Sequence, residues 1–207
     1  MSASSTDAHG VTTWRDGDGK VHRDGDLPAV VHPDGTQEWL QGGRLHRSHD
    51  MPAVVKADGF QAWYQHGKCH RDGLPAVVYS DGSQSWCQHG KLHRSFDLPA
   101  VMWVGGSQLW YQHGEQHRDG DLPAAVWRDG TQKWYQHGKC HRDGDLPAVV
   151  RPNGHQEWWV NGYPQSKLDR VHMRVVMAQA ARWSPLRVAF VGAAVHACFT
   201  IAHAPFQ

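Results

Sequence analysis

A mostly β fold is predicted, built as an elongated antiparallel β-hairpin repeat array, a single-layer meander or a solenoid-like coil, with a C-terminal helical segment. Three observations predict it. A block running from His-Arg to Leu-Pro-Ala (Met51-Pro52-Ala53 in the second copy) recurs six times, a Gln-x-Trp element recurs with it, and two glycine-containing turn signals punctuate the copies. A period of 20–50 residues is the signature of a repeat architecture.

The period is read from His22, His46, His70, His93, His117 and His141, which are 24, 24, 23, 24 and 24 residues apart. The short step reflects one residue fewer between Gly73 and Leu74. Loops accept deletions, so that segment is placed in a loop. Gln-x-Trp ends in Trp39, Trp63, Trp86, Trp110, Trp134 and Trp158, and Trp14 fits a degenerate leading copy.

The turns set the strands. Asp58-Gly59, Asp81-Gly82 and Asp129-Gly130 are strong hairpin signals. His66-Gly67, His89-Gly90, His113-Gly114 and His137-Gly138 stand where Asn-Gly is usual, as do Gly42-Gly43 and Asn161-Gly162. Two-residue loops at both places put Tyr64 opposite Cys69 and Gln65 opposite Lys68. They also put Tyr79 opposite Gln84 and Val77 opposite Trp86. Two strands per unit over six units, about 4.8 Å apart, extend on the order of 60 Å. Each unit is expected to touch only its neighbours. A propeller blade takes roughly 40 residues, more than this unit holds.

Composition narrows the function. Lys and Arg number 21 against 20 Asp and Glu, a net charge of +1. That balance argues against nucleic acid, whose binders carry excess cationic charge. The 11 Trp, 17 His and 22 Gly suit strands and tight turns. Cys69, Cys87, Cys140 and Cys198 form no CxxC pair, which indicates neither a zinc site nor a disulfide framework. Cys69 and Cys140 share a slot filled elsewhere by Leu45 and Leu92, and read as small apolar residues. The first 13 residues lack an apolar signal segment, so an intracellular location is expected, in the host cytoplasm or in a virion if the protein is viral. The chain divides into a flexible N-terminus (1–12), the repeats (13–162) and a helical cap or tail (163–207).

Trp63-Tyr64-Gln65-His66-Gly67-Lys68 and Trp134-Tyr135-Gln136-His137-Gly138-Lys139 resemble the aromatic-Tyr-x-Asn-Gly-Lys core of MORN-type repeats, in particular the divergent second class. The full unit, with His-Arg-Asp-Gly-Asp-Leu-Pro-Ala-Val-Val, is similar to repeat arrays in hypothetical proteins of giant DNA viruses and phages. The resemblance covers about Trp14 to Gly162. It implies an antiparallel meander used for interaction with proteins or membrane surfaces. The better-known MORN units lack the His-Arg-Asp and Leu-Pro-Ala blocks, so their lipid binding does not carry over.

Several reactive-looking patterns need weighing. His-Arg-Asp recurs four times, but the downstream Asn and Gly-rich loop of a kinase do not accompany it. Asp16-Gly17-Asp18-Gly19 lacks the Gly and Glu that complete a calcium loop. His66/His70 and their equivalents are four apart, yet a turn separates them, so one imidazole sits at a turn tip and the other packs on Trp. The columns His46, His70, His93, His117 and His141 and Trp39, Trp63, Trp86, Trp110, Trp134 and Trp158 are the candidate binding or stacking surfaces. Stacked imidazoles would also repel one another when charged near pH 6. The arginines Arg23, Arg47, Arg71, Arg94, Arg118 and Arg142 are expected to ladder with the adjoining Asp24, Asp72, Asp119 and Asp143.

Beyond Gly162, Ser166-Lys167-Leu168-Asp169 resembles a capping box before an amphipathic run, and Ser184-Pro185 ends it. The apolar stretch 188–202 is shorter than the roughly 20 residues of a membrane span. It reads as a cap for the last strand edge before it reads as a membrane anchor. The function expected is a non-enzymatic scaffold for a protein partner or for self-assembly, a viral structural component among the forms this takes. No catalytic residue, metal or cofactor is assigned. The alternative is a module binding metal, glycan or lipid headgroups through the Trp, His and Arg columns.

Overall fold

The computed structural model describes residues 2–166 and, beyond them, Val171, Val175, Val176 and Ala178. It divides into two units, Met1–Tyr163 and Pro164–Gln207. The four described residues after 166 are helical. The rest of the expected helix and the apolar stretch 188–202 lie outside the described residues. Among the described residues, no helix is long and apolar enough to cross a membrane.

The first unit contains a 14-stranded antiparallel sheet whose strands follow chain order, with two-stranded hairpins inserted between successive pairs. Ala3–Thr6 pairs with Thr12–Arg15, so the sheet starts ahead of the first recognisable repeat. Each repeat then contributes a Val-Val-type strand such as Val77–Val78 and a Gln-x strand such as Gln84–Ser85. The chain passes through Trp into a small hairpin, such as Tyr64–Gln65 with Lys68–Cys69. It returns through the Arg-Asp-Gly-Asp loop to Pro-Ala.

The His-Gly turns are as expected. His66 and Gly67 have φ of 51° and 81°, which two-residue hairpin loops require and which His, like Asn, tolerates better than most residues. Tyr64 pairs with Cys69 and Gln65 with Lys68. The small hairpins also join one another. Gly67 N–H donates to Leu45 C=O at 2.8 Å, Gly90 to Cys69 at 2.8 Å and Gly114 to Leu92 at 2.8 Å.

The Asp-Gly turns differ from expectation by one residue. Val78 pairs with Gln84 and Val77 with Ser85, rather than Val77 with Trp86. Tyr79 N–H donates to Ser83 C=O, which leaves a three-residue loop, Ser80-Asp81-Gly82. Asp81 Oδ1 captures the Ser83 N–H at 2.8 Å, and Gly82 takes the left-handed conformation at φ 86°. A turn followed by one left-handed residue is the usual three-residue alternative. Beyond that turn, Ser83 Oγ accepts the Val104 N–H and Ser107 Oγ the Arg128 N–H, tying each loop to the next unit.

The core is thin and repeats with the chain. Ala29, Ala53, Ala76, Ala100, Ala124 and Ala148 have no exposed surface at all, and five tryptophans are 6–7% exposed. Val101, Leu109 and Ala125 form a cluster on one face of the sheet, against which Leu92 and Tyr111 of the small hairpins pack. Large flat indoles beside methyl groups bury apolar area where no deep aliphatic core is available.

Candidate functional site

The tryptophans are covered by arginine. A guanidinium lies 3.6–3.9 Å from the ring centroid in the pairs Arg47/Trp39, Arg71/Trp63, Arg94/Trp86, Arg118/Trp110 and Arg142/Trp134. Such contacts stabilise by about 0.5–2 kcal/mol, more as they lose water. Arginine takes the place on these rings expected for histidine, and the histidine rings stack on one another instead.

The carboxylate partner also differs from expectation. Arg47 Nε and Nη2 donate to the two oxygens of Asp26 at 2.9 Å each, across 21 residues. Arg71 grips Asp50, Arg118 grips Asp97 and Arg142 grips Asp121 in the same two-bond way. The adjoining aspartates go to histidine instead, as in His22/Asp24 at 2.9 Å and His141/Asp143 at 3.0 Å. Geometry decides this: Asp26, Asp50, Asp97 and Asp121 are left-handed, with φ of 53–54°. That turn exposes both the main-chain carbonyl and the side chain of one residue to the next unit. Trp39 Nε1 donates to Asp26 C=O at 3.1 Å, and Trp63 Nε1 to Asp50 C=O at 3.0 Å. One aspartate therefore satisfies the indole N–H and the guanidinium of the unit that follows it.

The arginine beside each of these aspartates holds its carboxyl below the usual carboxylate range. The aspartates are 48–56% exposed, so water screens the pairs and each contributes on the order of 1 kcal/mol or less.

The histidines form stacked pairs across units rather than one continuous column. His46/His66, His70/His89, His93/His113 and His117/His137 have ring centroids 4.6–4.7 Å apart. In each pair the backbone N–H of the turn histidine donates to Nδ1 of the other, as from His66 to His46 at 3.3 Å. An Nδ1 that accepts carries a lone pair, so the neutral ring holds its proton on Nε2. That Nε2 faces Asp72, Asp119 or Asp143 in some units and Ser48 or Ser95 in others.

Among the described residues, no three His, Cys, Asp or Glu side chains gather to hold a metal ion. Cys69, Cys87 and Cys140 are free thiols. Burial pushes Cys140 up to about 11. The Cys87 thiol beside Cys69, together with burial, pushes Cys69 up as well. A cleft of about 280 Å³ lies between consecutive units, lined in part by Arg118, Asp121, Trp134, His141 and Asp143.

Two exposed apolar rows go beyond the columns read from the sequence. Leu27, Met51, Leu74, Leu98, Leu122 and Leu146, the residues ahead of each Pro-Ala, are 36–49% exposed. Trp103 and Trp127 stack at 5.7 Å and are 37% and 38% exposed. The signal for the first row is an apolar residue kept inside an otherwise polar loop in every unit.

No protein-family model matches the chain, and no curated protein is detectably similar to it.

Proposed function

We propose that the protein is a non-enzymatic repeat scaffold that binds a protein partner or a second copy of itself along the Leu/Met row. The observation that carries this reading is the row itself: six half-exposed apolar side chains, one per unit, at the same position. Two strands per unit at about 4.8 Å give a pitch near 10 Å. Individually exposed apolar residues are ordinary, but a periodic series of them marks an interaction surface. The polar residues support the same reading. Among the described residues, the recurring His, Arg and Asp side chains bond within or between the repeats, as structural positions do. A virion component is the particular form that the similarity to viral arrays supports, and free thiols suit an intracellular setting.

The test replaces Leu74, Leu98 and Leu122 with serine. The variant should keep the strand spectrum of the native chain while losing its self-association in light scattering, or losing the partner that native protein retains in cross-linking. The same mass and the same cross-linked partner in both proteins would overturn the proposal. Ligand binding through the columns, the alternative, is favoured at one rung only, that of Arg94.

A further inference from the structure

Among the described residues, one interior rung of the ladder is left incomplete. Four rungs follow one plan: an Arg stacked on a Trp, with the Asp of the preceding unit giving its carboxylate to the Arg and its main-chain carbonyl to the Trp N–H. At Arg94 and Trp86 the stacking is present at 3.6 Å. The preceding unit, however, runs Asp72-Gly73-Leu74 and is one residue short at the position that supplies the aspartate.

Three consequences meet there. Trp86 is 6% exposed, and its indole N–H is buried with no hydrogen-bond partner. Arg94 donates through Nη1 to Pro99 C=O and Met102 Sδ, and among the described residues it forms no ion pair. Among those residues its Nε and Nη2, the atoms that hold both carboxylate oxygens elsewhere, carry no such bond. Gly73, at φ 66°, has open space where a Cβ would project, with nothing within 4 Å. Among the described residues Arg23 also lacks an aspartate, but it belongs to the first repeat, ahead of which stands the Ala3–Thr6/Thr12–Arg15 pair instead of a repeat loop.

We propose that the Arg94–Trp86 rung is a binding site for a carboxylate supplied from outside the chain, either an aspartyl side chain of a peptide or a small free carboxylate. The inference does not depend on the scaffold reading. The four complete rungs act as the template, because each shows a carboxylate on the same two guanidinium atoms at 2.7–3.0 Å. Two parallel charge-assisted bonds select a planar, two-oxygen anion. The buried indole N–H beside the guanidinium adds selectivity, since an unpaired buried donor gains when an acceptor reaches it. An aspartyl unit, with a carbonyl as well as a carboxylate, matches both donors. Acetate matches the guanidinium alone.

The test uses full-length protein labelled with nitrogen-15 and follows the indole N–H signals. Sodium acetate and N-acetyl-aspartyl amide are each titrated against sodium chloride at equal ionic strength. Expected is a saturable shift of the Trp86 indole signal with at least one carboxylate, weakened on the order of tenfold or more in Arg94→Gln. Inserting one Asp between Gly73 and Leu74 should fill the rung from within. That variant should be more stable than the native chain and give no response, which keeps the test decisive should Arg94→Gln fold poorly. An effect of acetate equal to that of the aspartyl amide would assign the site to small carboxylates, and an effect of the aspartyl amide alone would assign it to a peptide. A signal that moves with chloride as much as with carboxylate would overturn the proposal, as would a response that survives in the insertion variant.

Discussion

His46 accepts the backbone N–H of His66 at its Nδ1 while the two imidazoles lie stacked with centroids 4.6 Å apart. His93 and His113 repeat the arrangement. Protonating Nδ1 would cancel the hydrogen bond and place a partly buried cation against the neighbouring ring. Burial first, and the neighbouring imidazole second, push His46 and His93 below the ordinary histidine range. Because the folded state prefers the neutral ring, these two histidines leave stability unchanged above about pH 6.5, the unfolded value. As pH falls below that value the unfolded chain takes up protons first, and stability declines towards the lower folded value. Thermal midpoints measured from pH 7.5 to 5.5 should fall on the acid side. The double variant His66→Asn and His113→Asn keeps residues that tolerate a left-handed turn and should flatten that fall. An equally steep fall in the variant would show that burial of His46 and His93, and not the neighbouring ring, sets the dependence.

Ala100 sets how closely consecutive units approach. It has no exposed surface, its N–H donates to Leu109 C=O and its C=O accepts the Trp86 N–H, each at 2.7–2.8 Å. Every complete repeat places alanine there. Ala100→Leu should therefore destabilise by about 1–3 kcal/mol through overpacking, whereas Ala3→Leu in the exposed first strand should be nearly neutral. Urea unfolding of the two variants checks the contrast.

The legible part of this molecule is the part fixed by neighbours in sequence. His66-Gly67 announces its turn because two adjacent residues must both adopt positive φ, and the register of Tyr64 against Cys69 follows from loop length alone. Asp81-Gly82 is ambiguous, since Asp-Gly serves both a two-residue and a three-residue loop. The choice falls to the Asp81 side chain, which captures the Ser83 N–H. The Arg71–Asp50 pair spans 21 residues. Asp50 of the preceding repeat and the adjoining Asp72 compete for that arginine, and only the left-handed Asp50 presents its carboxylate to the next repeat, a preference invisible without the backbone. The unmatched rung was written in the 23-residue step from His70 to His93. Its meaning needed the other rungs as a template.

Cys140 should be a slow thiol. Burial raises it to about 11, so the thiolate is scarce at pH 8, where an ordinary cysteine is substantially ionised. Alkylation by iodoacetamide at pH 8, read by peptide mass, should run on the order of a hundredfold slower at Cys140 in native protein than in urea. Equal rates in the two conditions would show that the hairpin opens faster than it reacts.

Phe96 stands at φ 64° with 94% of its surface exposed. Gly25, Gly73, Gly120 and Gly144 hold the same position in other units, all at positive φ. A side chain in the left-handed region costs about 1–2 kcal/mol relative to the favoured conformations, a penalty glycine avoids. Phe96→Gly should accordingly stabilise the protein by about 1 kcal/mol in urea unfolding. Gly120→Ala, where a Cβ meets nothing within 4 Å, should destabilise it by a similar amount through backbone strain alone. Backbone strain kept by an exposed aromatic is a reason to look for its use outside the fold. Phe96 lies two residues from Arg94 and two from Leu98 of the apolar row. A more stable Phe96→Gly protein that also loses its partner in cross-linking would place this side chain on the interaction surface. If the variant proved less stable, Phe96 would be packing in solution against part of its own chain.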